Sequence, residues 1–391
     1  MKKKIAIMIE RMDTALGGAE RSISELAEAM SQRGIEVSII AATGQTNSPN
    51  THTLFPDKSG KRTSYSAFAK ALKKYLSQNN YDIIHSVLPF DFADIYQPRG
   101  GSFAEAALRN AASYENRLLA SFKRATTFMN SRRTTLLHAE RRLCENPNGP
   151  VIAALSDYVA RQFKEHYRID PQRITVIHNG VKTDRLIDKT RVDALRKQIF
   201  GQLKINESNN RTLFLFVANN FRLKGLVCLI KAMAAAANDK TFLAVVGRDN
   251  ASAYRNIAKQ LRISNKIIFL GQTGDIQNVI AASDAVVLPT YYDPSSRVIL
   301  EALAAGKPVI TTIFNGATDL FTANRHGIVI DSPENIPALA QAITYYSQPE
   351  NIKKASDTII ADNLKEKISI RRVAKEMESL YNTIIERRRT K

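Results

Sequence analysis

Only two cysteines occur in the 391 residues, Cys144 and Cys228, far apart and without metal-ligand spacing. A disulfide framework and a cysteine-based metal site are therefore excluded, and two reduced thiols in a cytoplasmic protein are expected. No run of about eighteen apolar residues exists, so nothing is expected to span a membrane. The amino end is basic, Met1-Lys-Lys-Lys, but the apolar run Ile5–Ile9 meets Glu10-Arg11 at once. It reads as a first strand rather than a signal peptide. The chain has no fixed-period repeat and no low-complexity tract beyond short Lys/Arg clusters. The dinucleotide fingerprint G-x-G-x-x-G and the P-loop G-x-x-x-x-G-K-[ST] are both missing, and no D-x-D cluster suggests a metal. Acid is also scarce: 37 Asp and Glu face 56 Lys and Arg, a net charge of +19. That surplus predicts attraction to a polyanion, whether phosphorylated lipid headgroups, nucleic acid or an acidic glycan. A nucleic-acid binder would need aromatic stacking platforms or a groove-reading motif; neither is found, so no nucleic-acid partner is expected.

What is present is an ordinary globular composition, too long for one core of typical size, so two domains are expected. The most informative stretch is Asp284–Gly316, which reads as strand, loop, helix, strand. Ala285–Leu288 is a short apolar run ended by Pro289, as a buried parallel strand would be. Asp293 is placed to cap a helix, with Pro294 at its first position and Ser295 and Ser296 in its first turn. Val298, Leu300, Ala302 and Leu303 carry the helix forward, and Gly306 and Pro308 stop it before the β-branched run Val309–Ile313. Such a unit aims backbone N–H groups and a positive dipole end at the crevice above a sheet, where an anion is welcome. Glu301 is the lone acid of this apolar helix. It is either a solvent-facing residue of an ordinary crossover or a carboxylate with a partner, for which a ribose diol is suitable.

Other segments carry chemistry of the same kind. Gly17-Gly18, between the first strand and a helix running through Ile23, Leu26 and Met30, allows close backbone approach to a ligand; a tight turn explains it equally well. His85 ends the apolar strand Tyr81–Val87 and is either a ligand contact or a packed histidine. Thr212–Ala218 is an unbroken apolar strand running into Asn219-Asn220-Phe221-Arg222-Leu223-Lys224-Gly225. Two cations at a strand's carboxyl end suit a leaving pyrophosphate. As mere surface cations at a helix start they would be out of place, since a helix amino end disfavours positive charge. Gly247-Arg248 and Gly271-Gln272-Thr273-Gly274 are loops at the ends of two further strands.

Asp293-Pro-Ser-Ser-Arg-Val-Ile-Leu-Glu301 and the following Ala302-Leu-Ala-Ala-Gly-Lys-Pro308-Val-Ile310 resemble the E-x7-E signature, with its E-A-x-A-x-G-x-P-V-I continuation, of retaining nucleotide-sugar glycosyltransferases of family 4. Here the first acid is Asp, and Ser-Ser replaces the usual Phe-Gly. Tyr81–Val87 and Tyr167–Val181 resemble two further strands of that family, and the likeness spans nearly the whole chain. Among its branches the lipopolysaccharide-core glucosyltransferases are most similar. The resemblance implies an α/β protein of GT-B architecture, two Rossmann-like parallel-sheet domains facing across a cleft. Residues 1–180 would be the acceptor side, 181–210 a linker, 211–370 the nucleotide-sugar domain, and 371–391 a helix crossing back. It implies Asp293, Lys224 and Arg222 as catalytic residues, the two cations and the helix start at Ser295, Ser296, Arg297 and Val298 stabilising the diphosphate. Glu301 would bond the ribose, and Gly247, Arg248 and Thr273 would seat base and ribose. Gly17 and Gly18 would close on donor sugar and phosphates. Arg99, in Gln97-Pro98-Arg99-Gly100-Gly101, stands where the family often has a cleft histidine. Neither metal nor cofactor is implied. The partners would be a nucleotide-diphosphate sugar, with UDP as the nucleotide, and a glycan or glycolipid acceptor, lipopolysaccharide core fitting best.

The basic charge has a place. Phe103–Cys144 carries Arg109, Arg117, Lys123, Arg124, Arg132, Arg133, Arg141 and Arg142 against Glu105, Glu115 and Glu140, interleaved with Leu118, Leu119, Phe122, Phe128, Met129, Leu136 and Leu137. It reads either as an element for an anionic membrane surface, on the inner face of the plasma membrane, or as a helical insertion with a solvated basic face. Two other classes share some of these features: a GT-B relative with different nucleotide-sugar chemistry, such as an epimerase, and a non-catalytic polyanion-binding protein. The Asp293/Glu301 spacing and the basic acceptor-side helices favour transfer.

Overall fold

The computed structural model describes residues 2–13, 17–44, 50–56, 63–116, 118, 121–123, 126, 130–184, 186–205 and 211–390. Arg117, Leu119, Arg124, Phe128 and Met129 of the basic stretch lie outside these, as do 206–210 of the expected linker. The chain forms two compact units. One comprises Met1–Ala111, Leu118–Lys182 and Ser369–Lys391; the other comprises Ala112–Arg117 and Thr183–Ile368.

The first unit holds a seven-stranded sheet of β1 (Lys4–Arg11), β2 (Glu36–Thr43), β3 (Thr51–Thr53), β4 (Ile83–Ser86), β5 (Ile95–Tyr96), β6 (Val151–Ala154) and β7 (Ile174–Val176). Their order is β3-β2-β1-β4-β5-β6-β7, with every neighbour parallel. Buried Ile5, Ile7 and Ile9 meet Ile23, Leu26 and Met30 of helix Gly18–Ser31 on one face. Val373, Ala374, Met377 and Tyr381 of helix Ile370–Arg389 complete that core, each buried aliphatic side chain contributing about 1.5–3 kcal/mol. Arg388 of this helix, exposed like its neighbours, pairs with Asp94.

The basic stretch forms helix Phe103–Ala112 and helix Ser131–Glu145. The second is anchored by a buried acid. Glu140 accepts from Tyr96 (2.8 Å), from Tyr167 (2.5 Å) and from the backbone N–H of Phe103 (2.7 Å). Burial pushes its pKa up to about 7 although these bonds pull the other way. Arg132, expected among the surface cations, instead pairs with Glu10 and donates to the Thr63 carbonyl. Leu118 and Phe122 are exposed. Among the described residues no helix is long and apolar enough to cross a membrane.

The second unit holds β8 (Thr212–Val217), β9 (Thr241–Val246), β10 (Ile267–Gly271), β11 (Ala285–Leu288), β12 (Val309–Thr312) and β13 (Gly327–Ile330). They run parallel in the order β10-β9-β8-β11-β12-β13. β8, β9, β11 and β12 are buried along nearly their whole length because helices cover both faces, which is why they read as unbroken apolar runs. Helix Lys189–Gln202, within the span expected as a linker, belongs to this unit. Its Arg196 grips Asp284 with two bonds of 3.0 and 3.1 Å, at the foot of β11. The chain builds β8, β9 and β10 outward on one side, then returns to the other side of β8 with β11. The switch point therefore lies between the carboxyl ends of β8 and β11, where open α/β sheets take their ligands.

Candidate active site

The turn after β8 and the loop after β11 are stitched together above that switch point. Tyr291 N–H donates to the Leu223 carbonyl at 2.9 Å, and Thr290 Oγ1 donates to the same carbonyl at 3.2 Å. Gly225 has φ of 78°, and a Cβ there would lie 2.0 Å from the Pro289 carbonyl oxygen, so the two loops close only over glycine. This contact brings Lys224 Nζ to 2.7 Å from Asp293 Oδ2 and 2.7 Å from the Tyr292 carbonyl. The pair is largely shielded, its side chains 19% and 15% exposed, so the attraction is less screened than a surface ion pair. Asp293 and Lys224, sixty-nine positions apart in sequence, are thus one group in space.

Helix Arg297–Ala304 begins later than the sequence suggests. Asp293 does not cap it: its Oδ1 accepts from Ser295 N–H, its Oδ2 takes Lys224, and its backbone bridges to Asn315 as a short parallel pairing. Those contacts hold Asp293–Ser296 out of helical conformation, and Ser296 becomes the N-cap with no side-chain cap bond. The amino end of the helix, at Arg297 and Val298, therefore follows directly on the Lys224–Asp293 pair, and its positive dipole end stands there. Glu301 is buried, not solvent-facing, and its partner is in its own helix: Arg297 Nη2 lies 3.2 Å from Oε1. A residue missed in sequence, Asn315, is fully buried and ties this region together. Its Oδ1 accepts from Ser296 and Ala317 N–H (both 3.1 Å) while Nδ2 donates to Thr311 Oγ1 at 3.0 Å. An Asn-Gly pair just past a strand was the available signal.

The remaining expected residues are more scattered. Arg222 lies over the ring of Tyr114, 3.8 Å from its centroid, and donates to Ser113. Gly247 is tightly packed, since a Cβ would lie 1.8 Å from the Ala218 carbonyl oxygen; close packing accounts for this glycine. Arg248 is exposed and reaches Asn219 at 3.4 Å. Thr273 Oγ1 accepts from Asp275 N–H at 3.0 Å.

In the first unit, Gly17 is the uncapped N-cap of helix Gly18–Ser31; its extended φ of −171° makes no special demand for glycine. Arg99, following β5, donates through Nη1 to Ser22 of that helix (2.8 Å) and to Asn179 (3.1 Å). Arg99 thus joins the segments after β1, β5 and β7 at the switch point between β1 and β4. His85 is packed: it is wholly buried, bonded to the Tyr381 hydroxyl at 2.8 Å, and held neutral, its pKa pushed down to about 3 by burial and the Arg99 charge.

Two Rossmann-like units with parallel sheets define the fold of the GT-B glycosyltransferases. The crystal structure of WaaG, a glycosyltransferase involved in lipopolysaccharide biosynthesis, is similar with a TM-score of 0.76, at 20% identity over 96% of this chain and 99% of that one. HepE of Anabaena, in complex with UDP and glucose, gives 0.68 at 18% identity over 97% and 100%. The Glycosyltransferase Family 4 model matches residues 16–185, and the Glycosyl transferases group 1 model matches 196–362. The chain belongs to this family of glycosyltransferases. It is related to the lipopolysaccharide glucosyltransferase WaaG of Escherichia coli, with 25% identity over 369 residues, 90% of this chain and 94% of the relative.

Proposed function

We propose that the protein is a retaining, metal-independent glycosyltransferase that moves a hexose from a UDP-sugar to a glycan or glycolipid acceptor, with lipopolysaccharide core as the acceptor class. The observation that carries the reading is the Lys224–Asp293 pair at the switch point, beside the uncapped start of helix Arg297–Ala304. During transfer the bond from the anomeric carbon to the diphosphate oxygen breaks, and the pair of electrons leaves with the nucleoside diphosphate. The acceptor hydroxyl oxygen forms the new bond to the anomeric carbon, and its proton passes to the departing diphosphate oxygen. Charge grows on the diphosphate, and Lys224, Arg222 and the positive end of the helix dipole at Arg297 and Val298 are the groups suited to stabilise it, a task a divalent ion performs elsewhere. Asp293 holds the Lys224 ammonium in place, and Glu301, fixed by Arg297, is assigned to the ribose. Gly247, Arg248 and Thr273 are assigned to base and ribose, Gly17 and Gly18 to the donor sugar and phosphates, and Arg99 to the donor sugar. The UDP-sugar assignment is supported by HepE, recorded with UDP and glucose, and the acceptor class by WaaG.

The arginine-rich helix Ser131–Glu145 and exposed Leu118 and Phe122 support attachment to an anionic membrane surface, on the cytoplasmic side where nucleotide sugars are available. Thermal-shift titration with UDP-, GDP- and ADP-sugars tests the donor: stabilisation by UDP compounds is expected, and no response to any of the three would overturn the reading.

A further inference from the structure

Arg222 meets a short segment of the basic stretch. The short segment Ala112–Arg117 belongs with the second unit, although the residues on both sides of it belong with the first. Three consecutive side chains there meet the turn after β8 and the helix that follows it, Leu226–Ala236. Ser113, buried, accepts from Arg222; Tyr114 lies under the guanidinium plane; Glu115 pairs with Lys231 of helix Leu226–Ala236. A cation just ahead of a helix amino end is disfavoured by the dipole, and the negative face of an aromatic ring offsets that.

We propose that Tyr114 is a positioning residue for the donor diphosphate, acting through Arg222. The inference rests on the donor assignment above. A guanidinium is planar, and its N–H donors lie in the plane. Stacking on Tyr114 uses the face, whereas bidentate phosphate recognition uses an edge, so the two contacts reinforce each other. An arginine already fixed by a ring and a serine hydroxyl also loses less side-chain freedom when the diphosphate arrives. Tyr114 itself need never touch the nucleotide.

The test is calorimetric binding of UDP and of uridine to the native chain, Tyr114→Leu, Tyr114→Phe, Arg222→Ala and the Tyr114→Leu/Arg222→Ala double variant. Tyr114→Leu is expected to lower UDP affinity by between about twofold and thirtyfold, the span of a cation–π contact, and to leave uridine unchanged. Tyr114→Phe keeps the ring face and should bind UDP like the native chain. In the Arg222→Ala background, Tyr114→Leu should change UDP affinity by less than about twofold. Equal losses for UDP and uridine, or an undiminished effect without Arg222, would overturn the proposal. Should Tyr114→Leu fail to fold, Ser113→Ala must show the same UDP-specific loss; none there also overturns it. A native chain that binds neither UDP, GDP nor ADP refutes the donor assignment and this inference with it, whereas native binding insensitive to Tyr114 refutes the inference alone.

Discussion

Asn315→Ala should loosen the loop that carries Asp293 and the start of helix Arg297–Ala304. Asn315 is 0% exposed, so water does not replace its bonds without entering the core. Truncation strips two backbone donors, Ser296 and Ala317 N–H, of their acceptor and removes the donor to Thr311. Each buried group left unsatisfied costs about 1–3 kcal/mol, and some relaxation offsets the sum, giving a net loss of about 2–4 kcal/mol. Because the bonds are local, the loss should appear as local opening. Hydrogen exchange of peptides spanning Asp293–Thr318 should accelerate by about thirtyfold or more, since each 1.4 kcal/mol is a factor of ten. Asn315→Asp keeps an acceptor oxygen for both backbone donors and should exchange more slowly than the alanine variant. Unchanged protection in Asn315→Ala would refute the account of how this loop is held.

Glu301→Gln keeps the shape of the Arg297 contact but loses its charge; UDP should bind about tenfold more weakly by calorimetry, and unchanged affinity would remove Glu301 from the site. Glu140 has a folded pKa of about 7, above its ordinary 4.5. Its contribution to stability is complete below about 4.5 and is lost as pH rises to about 7, so Glu140→Gln should flatten the melting profile between those limits; an identical slope would count against it. Arg133, Arg141 and Arg142 changed together to Gln should reduce co-sedimentation with anionic vesicles at low salt and not with neutral ones, whereas equal binding to both vesicle types would return the stretch to a solvated helical insertion.

Much of this was legible in the sequence. β8, β9, β11 and β12 were readable because strands covered on both faces must be apolar throughout. β3 and β5 were not: three and two residues carry too little pattern, and their pairing with β2 and β4 decides them. Asp293 with Pro294 looked like a helix start by local chemistry alone. The long-range contacts to Lys224 and Asn315 claimed its carboxylate and backbone instead. Glu301's partner was within reach of sequence reasoning, because Arg297 stands four residues earlier on the same helix face. Arg132 and Arg222 show the opposite limit. Their charges were visible, but the acid, the serine and the ring that hold them come from segments over a hundred positions away.

The most direct test of the transferase reading is release of UDP from a UDP-hexose in the presence of a phosphorylated lipopolysaccharide-core acceptor, comparing native chain with Lys224→Ala. Lys224 is assigned to charge that develops as the bond breaks, so turnover should fall by about a hundredfold or more while uridine binding is kept. Acceptor-dependent UDP release that persists at near-native rate in Lys224→Ala would contradict the assignment of this site to the leaving diphosphate.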